Sequence, residues 1–167
     1  MQVFNPSASF TRPNDTTAYA ASDLVANSTT AGSVVPLKFE LGSQPAFAHL
    51  RLVRARISKT GTSTTNANFR LHLYSQSPTC ANGDNGAWST NQAAFWLGNI
   101  DVTSMLAFTD GCAGTGSLPA GSEAFLRFTN NTASTPTYIY GLLMAQAAYT
   151  PAAQEVFSVT IEEVGSF

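Results

Sequence analysis

Apolar residues occupy every second position along several short stretches of the chain, the pattern of strands with one buried face. Val35, Leu37, Phe39 and Leu41 form one such series, with Pro36 near its start where an edge strand tolerates proline. Phe69, Leu71 and Leu73 point one way while Arg70, His72 and Tyr74 point the other, and Phe157, Val159 and Ile161 repeat the pattern near the C-terminus. Three strands follow from these series. Ala124, Leu126 and Phe128 predict a fourth, with Phe125 implying cover on its opposite face as well.

Two stretches break the simple alternation. Between His49 and Lys59, Leu50 and Leu52 lie on one parity and Val53, Ala55 and Ile57 on the other, so a bulge near Leu52 is needed to shift the register by one residue. The segment TPTYIYGLLMAQAAYTP, residues 135–151, is apolar on both parities. Its Tyr138, Ile139 and Tyr140 favour a strand covered on both faces over a helix. In NQAAFWLGNIDVTSML, residues 91–106, two readings stand: a strand over Phe95, Trp96 and Leu97, and a helical turn opening at Asp101-Val102-Thr103-Ser104.

The connections carry turn chemistry: Lys59 to Thr62, Asn82 to Gly86, Thr109 to Gly111, Gly114 to Gly116 and Pro119 to Gly121. Roughly eight strands joined in this way predict an all-β fold, a two-sheet antiparallel β-sandwich with jelly-roll topology. At 167 residues the chain fits one domain. Residues 1–30 read as an N-terminal arm with a first short strand belonging to that domain, and residues 31–167 as the sandwich body.

Composition sharpens this picture. Only 11% of residues are charged, and Ser, Thr, Asn and Gly fill the polar positions, which suits pleated sheet better than helix surface. A net charge of −2 provides no long-range field toward nucleic acid or an anionic membrane, so neither partner is expected. The opening MQVFNPSASF has no basic start and apolar core of a secretory signal, and no run approaches a membrane span. A soluble protein made in the cytoplasm is expected. The Asn-x-Ser/Thr matches at Asn14, Asn27 and Asn130 are then accidents of a Thr-rich chain.

Catalytic and metal signatures are missing. The two histidines, His49 and His72, sit inside strand patterns, away from any metal-ligand spacing, and no nucleophile elbow, dinucleotide turn or phosphate loop occurs. Glu162 and Glu163 are adjacent in a strand and therefore face opposite ways, so they cannot flank one glycosidic bond. Asp84, Asp101 and Asp110 lie in or near loops, where the sequence leaves their approach open. The expectation is a protein that is not an enzyme and uses no cofactor. Cys80 and Cys112, each in a Gly-rich loop, read equally as a disulfide or as two free thiols.

The run from His49 to Lys59 holds four of the eight basic residues and reads as a solvated strand face pairing with carboxylates. Trp88, Trp96, Tyr138 and Tyr140 are candidate interface aromatics. Trp88, Trp96, Tyr74 or Tyr138 would also suit a sugar-stacking site.

The stretch FTRPNDTTAYAASDLVANSTT, residues 10–30, is polar and turn-rich with isolated apolar residues. Pro13 fixes a bend, Arg12 before it is extended, and Thr16 to Ala20 can form a short strand presenting Tyr19. The pattern F-T-R-P-x-D-T-T-A-Y-A-x-x-D-L-V-A-N-S, Phe10 to Ser28, resembles the start of small structural proteins of tailed bacteriophages, and the strand LRLVRARISK at 50–59 is similar to that group. The resemblance implies a virion component of the capsid cement or decoration kind. It implies a homotrimeric β-sandwich bound to the outer surface of the major capsid protein, and no active site. Phe10, Arg12, Pro13, Asp15, Tyr19 and Asp23 would then belong to a subunit- or capsid-contact arm. The alternative is a carbohydrate-binding or receptor-binding tip of a tail fibre or tailspike, marked by an exposed cluster holding Trp88 or Trp96 beside Asp or Asn.

Overall fold

The alternating stretches become strands that stack as two antiparallel sheets. The computed structural model describes residues 2–41, 49–120, 125–127 and 138–166. In chain order the strands are β1 (Gln2–Phe4), β2 (Ser7–Thr11), β3 (Leu24–Val25), β4 (Leu37–Glu40), β5 (His49–Lys59), β6 (Phe69–Tyr74), β7 (Trp96–Val102), β8 (Leu106–Phe108), β9 (Gly111–Ser117), β10 (Phe125–Arg127), β11 (Tyr138–Ala145) and β12 (Val156–Ser166). The seven-stranded sheet runs β1-β12-β5-β9-β8, with β2 also on β12 and β10 also on β5; the five-stranded sheet runs β3-β11-β6-β7, with β4 also on β11. The expected two-sheet sandwich is the observed fold. Its connectivity is given by this strand order rather than by a jelly-roll label.

The inner faces meet in one continuous core. Ala55, Ile57, Phe157, Val159 and Ile161 from the larger sheet pack with Phe39, Phe69, Leu71, Ile100 and Leu143 from the smaller. Phe69 sits edge-on to both Tyr149 and Phe157, with centroids 5.3 Å and 5.2 Å away. Each such large side chain contributes about 1.5–3 kcal/mol on burial.

The phase change in β5 is a bulge. Glu162 lies opposite Arg54 and the next residue, Glu163, opposite Leu52, leaving Val53 without a partner on β12. The extra residue turns Leu52 and Ala55 inward while Val53 and Arg54 stay exposed. Beyond the bulge, Glu163 continues the inward series of Phe157, Val159 and Ile161 and is fully buried. In the ambiguous 91–106 segment the strand reading holds, and it extends further than expected. A 3-10 turn at Ala93–Phe95 leads into β7, and Asp101 pairs with Arg70 inside the strand instead of opening a helical turn. A register shift between Leu73 and Tyr74 sets Trp96 opposite Tyr74. Of the fourth predicted strand, Phe125–Arg127 pairs with β5, while Ala124 and Phe128 lie outside the described residues, as do Gly121 and Asn130.

Glycines let β9 close on the second sheet. A methyl group on Gly116 would stand 2.1 Å from the Asp101 carbonyl oxygen, a backbone atom that cannot step aside. Gly116→Ala is therefore expected to destabilise the fold by roughly 1–3 kcal/mol, measured by urea unfolding; an unchanged midpoint would contradict this packing.

Candidate functional site

The opening segment sends several side chains into the interior. Arg12 and Tyr19 are each 2% exposed, and Asp23 is buried as well. The bend at Pro13 and an Asx turn, in which Asp15 Oδ1 accepts the Thr17 amide at 3.0 Å, turn the chain so that Arg12 and Tyr19 meet. Arg12 Nε donates to Tyr19 Oη. Both then converge on Asp84: Arg12 Nη2 donates to Oδ2 at 2.7 Å, and Tyr19 Oη donates to Oδ1 at 2.7 Å. The Ala26 amide adds a third bond to Oδ1 at 2.7 Å, so the carboxylate is fully engaged out of solvent.

The loop carrying Asp84 is held against the same segment. The Asp84 amide donates to Ser28 at 2.7 Å, and Leu24 exchanges bonds with Gly86 and Asn85. Gly83 fits only as glycine, because a methyl group there would sit 2.0 Å from the Thr29 carbonyl oxygen. Burial lowers the guanidinium's affinity for its proton, but Tyr19 and Asp84 more than offset this, so Arg12 is raised overall. Burial first, and then the Asp84 charge, push the Tyr19 phenol far up, so it remains a donor.

A second buried ion pair adjoins the first. Lys59 Nζ donates to Glu155 Oε1 at 3.1 Å and to the Gly61 and Ser63 carbonyls at 2.8 Å and 2.7 Å, while Tyr149 Oη donates to Glu155 at 2.7 Å. Tyr19 and Tyr149 stack with centroids 6.3 Å apart, which joins the two clusters. Lys59 thus departs from the solvated basic face expected for β5, since it closes the strand inside the core. Arg54 does follow the expectation, pairing with Glu162 at 2.8 Å on the surface.

Three of the six residues expected in a contact arm are buried within the chain itself. Arg12, Tyr19 and Asp23 are committed to partners within the chain, Phe10 stacks on Phe157 at 5.6 Å, and Pro13 and Asp15 are half-buried. Their side chains hold residues 10–28 to the sandwich, while Thr11, Asn14, Thr16 to Ala18 and Ala20 to Ser22 stay exposed. The disulfide reading gives way to the free-thiol one: Cys112 lies in the main core, and Cys80 packs against a separate cluster formed by Leu24, Ala26, Tyr74 and Leu142. Burial pushes the Cys80 thiol up to about 11, which keeps it protonated.

Aromatic side chains collect on the outer face of the five-stranded sheet. Alternation puts Arg70, His72 and Tyr74 of β6 outward, and the adjacent β7 supplies Asp101, Asn99 and Trp96. Trp88, on the loop before β7, stacks over His72 with centroids 4.3 Å apart and planes at 29°. Trp96 stands 6.2 Å from His72 and is 47% exposed. Beside them Arg70 clamps Asp101 through two bonds of 2.6 Å and 2.8 Å, which with burial opposing holds the carboxyl below its usual range. Tyr140 packs on the cluster under Trp88, whereas Tyr138, at the start of β11, lies under the Lys38 ammonium at 3.7 Å. The four candidate aromatics are thereby split: Trp88 and Trp96 share one site, and Tyr138 stands apart from it.

The loop carboxylates do not assemble. Asp84 is locked to Arg12, Asp101 to Arg70, and Asp110 is exposed at the β8–β9 turn. Among the described residues no three His, Cys, Asp or Glu side chains are grouped as metal ligands, and no helix is long and apolar enough to cross a membrane. No family model matches the chain, and no curated protein matches it.

Proposed function

We propose that this chain is a structural protein of a tailed-phage virion, of the capsid cement or decoration kind, which acts as a homotrimer on the outer surface of the major capsid protein. The observation that carries this reading is the role of the residues in the resemblance. Arg12, Pro13, Asp15, Tyr19 and Asp23 shape or occupy the buried assembly around Asp84. A likeness in such residues is a likeness in architecture, because they fix how the first 28 residues dock onto the sheets.

The surface agrees with a protein that works by contact area. Among the described residues β8 pairs only with β9, and it carries Leu106 and Phe108 at 67% and 52% exposure. An unpaired apolar edge of this kind is one that symmetric association covers. Light scattering on the purified protein is expected to give three times the 17.6 kDa chain mass, and Leu106→Lys with Phe108→Lys to lower it. A wild-type monomer at all concentrations would contradict the trimer.

A second reading, a glycan-recognising tip module, is favoured by one specific observation, the clustering of Trp88 and Trp96 beside Asn and Asp side chains on one sheet face. Antibody labelling of particles separates the two by position, shell or tail tip.

A further inference from the structure

We propose that the cavity between Trp88 and Trp96 is a binding site for one ring of a neutral saccharide. The cavity measures about 260 Å³ and is lined by His72, Tyr74, Trp88, Thr90, Asn91 and Trp96. Sites for drug-sized ligands start at roughly 300 Å³, so this one suits a single ring.

Three features set the chemistry of the ligand. The first is a platform: Trp96 stands at the cavity wall, 47% exposed. Its position is built by the register shift opposite Tyr74 and by the 3-10 turn that precedes it, so the indole is carried by the start of a strand. A sugar ring presents a face of C–H groups that packs on such an indole, and aromatic side chains serve wet sites well because they join large contact area with low conformational freedom.

The second feature is a set of neutral hydrogen-bonding groups around that platform. Asn91 Oδ1 accepts the Thr79 amide at 2.9 Å, which orients the side chain and leaves its Nδ2 to donate. The Tyr74 and Thr90 hydroxyls are 3.1 Å apart, and since one proton serves that bond the pair retains a further donor. His72 Nε2 is sealed beneath this lining, where Trp88 stacks on the ring, and has no hydrogen-bond partner among the described residues, so the ring serves as packing and not as a contact.

The third feature is the missing charge. No Asp, Glu, Lys or Arg lines the cavity. The neighbouring Arg70 is occupied by Asp101, and burial followed by the Arg70 charge lowers His72 to about 4, so it is neutral at ordinary pH. A phosphate or sialic acid carboxylate would find no counter-charge, whereas hydroxyl groups find both donors and acceptors. The inference deepens the tip reading, on which its biological use rests. The binding itself succeeds or fails separately from where a particle carries the chain.

The test uses the two tryptophans as reporters, because Trp88 and Trp96 are the only ones in the chain. The full chain is titrated with glucose, galactose, rhamnose, N-acetylglucosamine and their short oligomers, and with adenosine and uridine as planar controls. Indole fluorescence and the two indole N–H resonances are followed. At least one sugar is expected to shift both signals with a Kd on the order of 1 mM, as expected for a small stacked ring. Trp96→Ala should weaken it about tenfold, ~1.4 kcal/mol, with an unchanged thermal midpoint, and Trp96→Tyr should restore most of the affinity. Silence toward every sugar, shifts with the nucleosides alone, or sugar binding that survives Trp96→Ala unchanged would each overturn the proposal.

Discussion

Asp84→Ala is expected to remove about 3–5 kcal/mol of stability, the loss found when one partner of a buried ion pair is deleted. The side chain receives Arg12, Tyr19 and the Ala26 amide at once, with no exposed surface on either charged partner. Alanine would leave a guanidinium in the interior facing a phenol, two carbonyl oxygens at 3.3–3.4 Å and the partly solvated Asp15 carboxylate at 3.5 Å. The backbone bonds linking residues 22–28 to the loop at 84–88 would then be the main ties at that edge. Asp84→Asn keeps the shape and loses the charge, so it is expected to fall between alanine and wild type. Tyr19→Phe should cost less, about 1–3 kcal/mol, because the ion pair survives it. Urea unfolding monitored by circular dichroism measures all three, and a loss below about 1 kcal/mol for Asp84→Ala would show that the cluster does not hold the segment.

Glu163→Gln is expected to stabilise the protein at pH 8 and to change little at pH 5. Its carboxyl is fully buried and both oxygens lack partners among the described residues, so burial pushes the group from 4.5 up to about 7. Between those two values the folded chain holds a proton that the unfolded chain has released. Stability therefore falls as pH rises through that window, and about 3 kcal/mol is gone once both states are ionised. Glutamine carries no charge at either pH and escapes this loss. With about 2–4 °C of thermal midpoint per kcal/mol for a chain of this size, the variant should melt roughly 6–12 °C above wild type at pH 8. His72 titrates in both proteins and cancels in the comparison. Equal differences at the two pH values would mean that Glu163 is already ionised in the folded state.

The fold was legible in the sequence wherever one face of a strand is buried, because alternation is then a direct record of burial. Phe69, Leu71 and Leu73 show this, as does the bulge beside Leu52, which had to exist for Leu52, Ala55 and Ile57 to share the inward face.

The buried polar clusters were not legible, for a physical reason. Arg12 and Asp84 are 72 residues apart, and Lys59 and Glu155 are 96 apart. Charged residues in a turn-rich stretch normally stay in water, so Arg12 and Tyr19 read as surface groups of an arm, and Lys59 as the end of a solvated face. Only the closing of the sheets brings their partners to them. The aromatic site was half legible: the candidates Trp88 and Trp96 could be named, but His72 between them lies on the outward parity of an ordinary strand. The loop that carries Trp88 over it has no periodicity to read.

The proposed membership of a virion shell can be examined on the particle itself. Purified virions of a phage whose genome encodes this chain would be analysed by quantitative mass spectrometry and labelled with an antibody against it. Many copies per particle are expected, in a fixed ratio to the major capsid protein, with label over the shell. Absence of the chain from purified virions, or label confined to the tail tip, would contradict it.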